Sequence, residues 1–110
     1  MVTLIKKNLE AIKDVCIKHH VLSLYLFGSA TNKQVFNRAS DIDFLYEIDI
    51  ENFKNWDTGD YDYLDNLDDL ESNLNTLLGR KIDLVPYKNI HNKYFKESVD
   101  NSRQLIYDKQ

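Results

Sequence analysis

With 110 residues, 43% of them apolar and 29% charged, the chain is expected to fold as one soluble globular domain over 1–110. A net charge of −4 argues against nucleic-acid binding through a broad basic surface, so no direct nucleic-acid contact is expected. The lone cysteine, Cys16, excludes an internal disulfide, no apolar signal segment follows Lys6-Lys7, and no apolar run approaches the roughly 20 residues that span a bilayer, so a cytoplasmic protein without membrane contact is expected.

Residues 3–19 carry Ile5, Leu9, Ile12 and Cys16 at helical spacing, which predicts an amphipathic helix with Thr3 as N-cap and His19-His20 at a frayed end. The nearly continuous apolar run 21–27 suits a strand covered on both faces, stopped by Gly28-Ser29. A polar stretch over 30–40, opening with a helical turn at 29–34, leads into a second strand at 41–48. Side chains alternate across a strand, so Asp41, Asp43, Leu45 and Glu47 share one face while Ile42, Phe44, Tyr46 and Ile48 take the core face.

Residues 49–60 read as a loop with Trp56 as an anchor and a turn at Thr58-Gly59-Asp60. The longest helix is predicted over 61–78, with Tyr61, Leu64, Leu67, Leu70, Leu74, Leu77 and Leu78 on one stripe. Gly79 caps it, and Arg80 and Lys81 stand beside its negative end. A third strand at 81–85 ends at Pro86. A short helix at about 90–100 follows, and 104–107 reads as a last strand or the end of that helix. This order gives a small α/β (α+β) layer structure.

Three acids stand out: Asp41 and Asp43 at the start of one strand, and Asp83 in another. Magnesium takes oxygen ligands, usually one or two carboxylates, with substrate phosphates and water completing the shell. Aspartates at i and i+2 of a strand point the same way and can bridge a pair of ions about 3.5–4 Å apart. Asp83 on a neighbouring strand supplies a third ligand, unless it merely pairs with Arg80 or Lys81. Gly28 lets a phosphate approach the backbone, and Ser29 opens a helical turn whose amides and hydroxyl can donate to phosphate oxygens. Clustered acids repel one another, so bound magnesium is expected to stabilise the fold.

The segments Tyr25-Leu26-Phe27-Gly28-Ser29, Ser40-Asp41-Ile42-Asp43 and Gly79-Arg80-Lys81-Ile82-Asp83-Leu84-Val85 resemble the minimal nucleotidyltransferases of the DNA polymerase β-like superfamily. The resemblance runs through nearly the whole chain, although the loop between Ser29 and Asp41, eleven residues long, exceeds the commonest spacing by one. It implies a mixed twisted sheet with helices mainly on one face. It also implies that Gly28 and Ser29 hold the β- and γ-phosphates of ATP, that Asp41 and Asp43 ligate Mg2+, and that Asp83 ligates the catalytic ion and helps deprotonate the acceptor hydroxyl. Lys33 and Arg38 are the basic residues of the loop, Arg38 being the better candidate for a triphosphate contact. Val35 and Phe36 in the same loop either dock a partner or pack down.

The chain has no residues left over for an acceptor-binding domain, so the acceptor is expected on another protein. Short members of the family pair with HEPN-domain toxins and act as antitoxins by adding AMP to a toxin tyrosine, which is the function the resemblance implies here. Two other readings stay open: an antitoxin that works by contact alone, and a self-contained enzyme acting on a small molecule. The acids Asp57, Asp60, Asp62, Asp65, Asp68, Asp69 and Glu71 read as the solvated face and favoured N-terminus of the long helix, or as a docking face for a basic partner. His19, His20 and His91 lack metal-ligand spacing. Cys16 reads as a buried small hydrophobe.

Overall fold

The apolar run Val21–Phe27 forms β1, near the middle of a mixed sheet. It pairs antiparallel with β2 (Ile42–Ile48) on one side and with β4 (Gln104–Asp108) on the other. Beyond β2, the strand β3 (Ile82–Pro86) lies parallel to it, giving the order β3-β2-β1-β4. The structure, a computed structural model, describes residues 1–49, 51, 62–89 and 92–109. Trp56, the Thr58–Asp60 turn, Tyr61, His91, Asp57 and Asp60 lie outside these residues. Among the described residues no helix is long and apolar enough to cross a membrane.

Alternation on β2 divides the interior. Ile42, Phe44, Tyr46 and Ile48 meet Leu24 and Leu26 of β1 in the main core, together with Ile82 and Ile106. Among the described residues, α1 (Thr3–Lys7), α2 (Leu9–Lys18) and α3 (Tyr63–Leu78) cover that face. Cys16 is fully buried there, and burial pushes its thiol up to about 12, as fits an inert apolar filler. The opposite face carries a smaller cluster of Phe27, Leu45 and Val99, the last from α4 (Lys93–Ser102). The chain over 104–107 is therefore a strand, not the end of α4.

The predicted helix over 3–19 is two helices. Asn8 breaks it: its Nδ2 donates to the Leu4 carbonyl at 2.8 Å, and its backbone leaves the helical region at φ −107° and ψ 10°. Thr3 does not cap; Val2 precedes the first turn without a side-chain cap. The long helix begins at Tyr63 because Asp62 caps it. Asp62 Oδ1 accepts from the Asp65 amide at 3.0 Å and Asp65 Oδ2 accepts from the Asp62 amide at 3.1 Å, a reciprocal box. Gly79 closes the helix at φ +65°, as the sequence predicts.

The predicted stripe on α3 also needs correction. Leu64 is 65% exposed, and the buried position at that end is Asn66 at 1%. Asn66 faces His19, which is buried rather than frayed. Asn66 Nδ2 donates to the His19 carbonyl at 2.8 Å, and Asn66 Oδ1 lies 3.0 Å from His19 Nδ1. Asn73 Nδ2 lies 2.7 Å from His19 Nε2. Because Asn66 Oδ1 can only accept, Nδ1 is the donor of that pair, and both ring nitrogens have a partner. Replacing Asn66 by Leu leaves the His19 carbonyl and Nδ1 without partners. That change should cost about 2–3 kcal/mol, read as a lower urea midpoint at unchanged slope, whereas Leu64→Ser should move stability by less than about 0.5 kcal/mol.

Candidate active site

The site is built by register. β2 and β3 are parallel with Asp43 opposite Asp83 and Leu45 opposite Val85. In β1, Phe27 pairs with Asp43, so the turn that follows Phe27 lands beside the two acids. That turn is the short 3₁₀ segment Gly28–Thr31, near the predicted position. Gly28 has φ +74°, and a Cβ placed on it would come within 2.5 Å of Asp43 Oδ2. Glycine is thus required for conformation and for the close approach of the carboxylate. Thr31 Oγ1 donates to the Gly28 carbonyl at 2.7 Å, and the Val2 amide donates to the Ala30 carbonyl at 3.0 Å, which fixes the turn from both sides. Ser29, the predicted phosphate donor, is the second residue of this turn.

Asp43 and Asp83 are coupled. Partial burial, the charge of Asp83, a hydrogen bond between the two carboxyls and the charge of Asp41 push the Asp43 carboxyl up to about 6. Asp41 stands one residue ahead of β2, with its Oδ2 3.9 Å from Lys81 Nζ. It therefore reaches Asp43 through its field while its carboxylate leans toward Lys81. Among the described residues no three acidic, histidine or cysteine side chains are gathered closely enough to hold one ion. The expected convergence is thus met by Asp43 and Asp83, and Asp41 adjoins them. The donor set fits a hard divalent cation: all donors are carboxylate oxygens, and the repulsion that raises Asp43 is what such a cation relieves.

Asp83 pairs with neither of its basic neighbours: Lys81 faces Asp41, and Arg80 turns to the loop after the Gly28 turn. Arg80 Nη1 donates to the Asn37 carbonyl at 2.7 Å and to the Ser40 carbonyl at 3.1 Å. Its guanidinium lies 4.6 Å from the centre of the Phe36 ring. Phe36 packs against the main core while Val35 stays exposed, so of the two loop apolars Phe36 alone packs down. Lys33 and Arg38 are exposed on the same loop. The sequence places Arg80 at the helix end and gives no hint of this role; its only signal is an arginine directly after a capping glycine, three residues before an acid.

α4 lies over the acids' face of the sheet. Arg103, just past its end, sits 4.3 Å from the Tyr25 ring centre and 5.0 Å from that of Tyr87, and Tyr87 donates to Asp100 Oδ1 at 2.9 Å. Phe95 meets Phe27 edge-to-face at 6.2 Å. These contacts hold the helix against the strand that leads into the glycine turn.

The fold and the acid pair agree with what comparison finds: residues 9–106 match the family model described as a nucleotidyltransferase domain. The chain belongs to the nucleotidyltransferase-domain family. This nucleotidyltransferase is 36% identical over 105 residues to a candidate protein adenylyltransferase of Methanocaldococcus jannaschii, with 94% of this chain and 90% of the relative covered. It is 37% identical over 110 residues to a second one from the same organism, covering 92% of this chain and 98% of the relative. Its fold is similar to a solved candidate minimal nucleotidyltransferase, with a TM-score of 0.67 at 21% identity over 91% of this chain and 90% of the other. A toxin–antitoxin structure with AMP-PNP gives a TM-score of 0.64 at 21% identity, covering 94% of this chain and 75% of that one. The complex of tri-AMPylated Shewanella oneidensis HEPN toxin with MNT antitoxin gives 0.59 at 18%, covering 96% and 73%. At these identities the solved structures speak for the fold, a mixed sheet with helices mainly on one face.

Proposed function

We propose that this nucleotidyltransferase is a magnesium-dependent protein adenylyltransferase of the cytoplasm, one domain over 1–110. It transfers AMP from ATP to a tyrosine hydroxyl of a HEPN-domain toxin and thereby acts as antitoxin. The observation that carries the chemistry is the in-register pair Asp43–Asp83 set against the Gly28 turn. The relatives named as candidate protein adenylyltransferases, and the neighbour solved with an AMPylated HEPN toxin, support the acceptor class.

In this reading Gly28 and Ser29 hold the triphosphate against the acids. Asp43 and Asp83, joined by Asp41 once it leaves Lys81, would hold one or two Mg2+ ions, whose chemistry would be neutralisation of phosphate charge and a lower pKa for the acceptor hydroxyl. The family resemblance assigns Asp83 to the acceptor side, where its carboxylate would take the proton of the attacking hydroxyl. That oxygen forms a bond to the α-phosphorus of ATP, the α–β bridging bond breaks, and pyrophosphate leaves with the electron pair. The protein's part is positioning and electrostatics.

The rival reading is a toxin-binding antitoxin without catalysis, and the lean of Asp41 toward Lys81 is the observation that favours it. The double variant Asp41→Asn, Asp43→Asn separates the two. In the catalytic reading it loses about 10²–10³-fold in AMP transfer and no longer neutralises the toxin. Neutralisation retained at wild-type level without transfer would establish the binding reading instead. A third expected result concerns the cation: millimolar Mg2+ with ATP should raise the melting temperature at pH 7.5, where Asp43 is ionised. An unchanged transition counts against the site.

A further inference from the structure

We propose that Arg80 is a positioning residue that locks the loop over 32–40, and with it Asp41, into the register the metal site needs; this rests on the functional reading above. The loop joins the two halves of the site, since Ser29 lies before it and Asp41 directly after it. Its internal bonds are short-range turns: Val35 and Phe36 amides to the Asn32 carbonyl, and Asn37 and Ser40 with each other. Such turns shape a loop without fixing it to the sheet. Arg80 provides the long-range tie. One guanidinium nitrogen is shared by the carbonyls of Asn37 and Ser40, and the guanidinium stacks on Phe36, which is itself set into the main core.

The geometry places this tie where it matters. Ser40 is the residue before Asp41, and Arg80 stands two residues ahead of β3, the strand of Asp83. The adjoining Ile42 amide donates to the Lys81 carbonyl at 3.0 Å, so the parallel pairing of Asp43 with Asp83 starts at the same point. Arg80 is held from its own side as well, because Asn75 Nδ2 donates to its carbonyl at 2.7 Å. A clamp thus runs from the end of α3 through Arg80 to the backbone beside Asp41. Lysine at this position keeps a donor for the carbonyls but has no planar guanidinium to stack on Phe36, and methionine has no donor at all.

Two measurements decide the matter on Arg80→Met and Arg80→Lys. The first is hydrogen exchange of loop amides over 37–41 in the protein without nucleotide. The clamp predicts exchange at least about tenfold faster in Arg80→Met, with the amides of β1 and α2 unchanged; equal loop exchange overturns it. The second is Mn2+ binding in the presence of AMP-PNP, followed by the loss of the free-ion paramagnetic signal. Arg80→Met should weaken Mn2+ by about 10-fold or more, with Arg80→Lys between it and wild type, as expected when the group orienting a ligand is removed. On an Asp41→Asn background Arg80→Met should add nothing further, because both act through one carboxylate. A fully additive loss overturns the proposal. A wild-type protein that binds no Mn2+ contradicts the functional reading, and the exchange rates then still decide the clamp.

Discussion

Asp43→Asn should make the metal-free protein more stable at neutral pH while it lowers AMP transfer by about 10²-fold. The Asp43 carboxyl is raised from 3.8 to about 6 by partial burial and by the neighbouring Asp83 and Asp41. A folded-state value above the unfolded one means that the folded protein binds the proton more tightly. Stability from this group is present below about pH 4 and is lost as pH rises through about 6. Above that pH the ionised pair is held together only by the rest of the fold. Asparagine has the same shape, carries no charge and can donate to Asp83. Because Asp43 is partly solvated, the gain should be about 1 kcal/mol after screening, or about 4–8 °C in melting temperature for a domain of this size. The difference between variant and wild type should widen from pH 4 to pH 7 and shrink when Mg2+ and ATP are added. An Asp43→Asn protein that melts lower than wild type at pH 7.5 without metal contradicts the coupled pair.

Gly28→Ala should damage both stability and activity, and Gly79→Ala shows why. Both glycines have positive φ, +74° and +65°. A side chain in that region costs about 1–2 kcal/mol whatever surrounds it. Among the described residues nothing lies within 4 Å of a Cβ at Gly79, so Gly79→Ala should lose that amount and keep its transfer rate per folded molecule. At Gly28 the added Cβ meets Asp43 Oδ2 at 2.5 Å. The Asp43 side chain is short and its strand is paired on both sides, so the carboxylate must rotate away from its place. A displacement of about 1 Å at a reacting centre can cost about 10²-fold in rate. Equal activity in the two alanine variants would show that Gly28 serves the backbone alone.

Much of this was legible because it follows from periodicity. Alternation on β2 separated Asp43 from Phe44 and so assigned the acid and core faces. Gly79 announced the end of α3, and the apolar run 21–27 announced a strand buried on both sides. What escaped depended on side-chain polar contacts, local or long-range, which leave no period. Asn66 rather than Leu64 fills the buried position at the start of α3, because His19 supplies its partners from 47 residues away. Asn8 splits a helix that its apolar spacing alone would carry through, since a local side-chain bond competes with the ladder. Arg80 bonds to carbonyls more than 39 residues distant in sequence, and the lean of Asp41 toward Lys81 is a choice between neighbours that spacing cannot resolve. The family resemblance carried the acids to one site; the register of β2 against β3 then singled out Asp43 and Asp83 as the close pair.

The central claim is tested most directly by label position. The protein is incubated with Mg2+, a HEPN-domain toxin as the proposed acceptor, and ATP labelled with phosphorus-32 at either the α- or the γ-phosphate. Transfer predicts label on the HEPN protein from α-labelled ATP only, pyrophosphate as product, and labelling about 100-fold slower with Asp43→Asn. Label from γ-labelled ATP, or equal labelling by the Asp43→Asn protein, would contradict it.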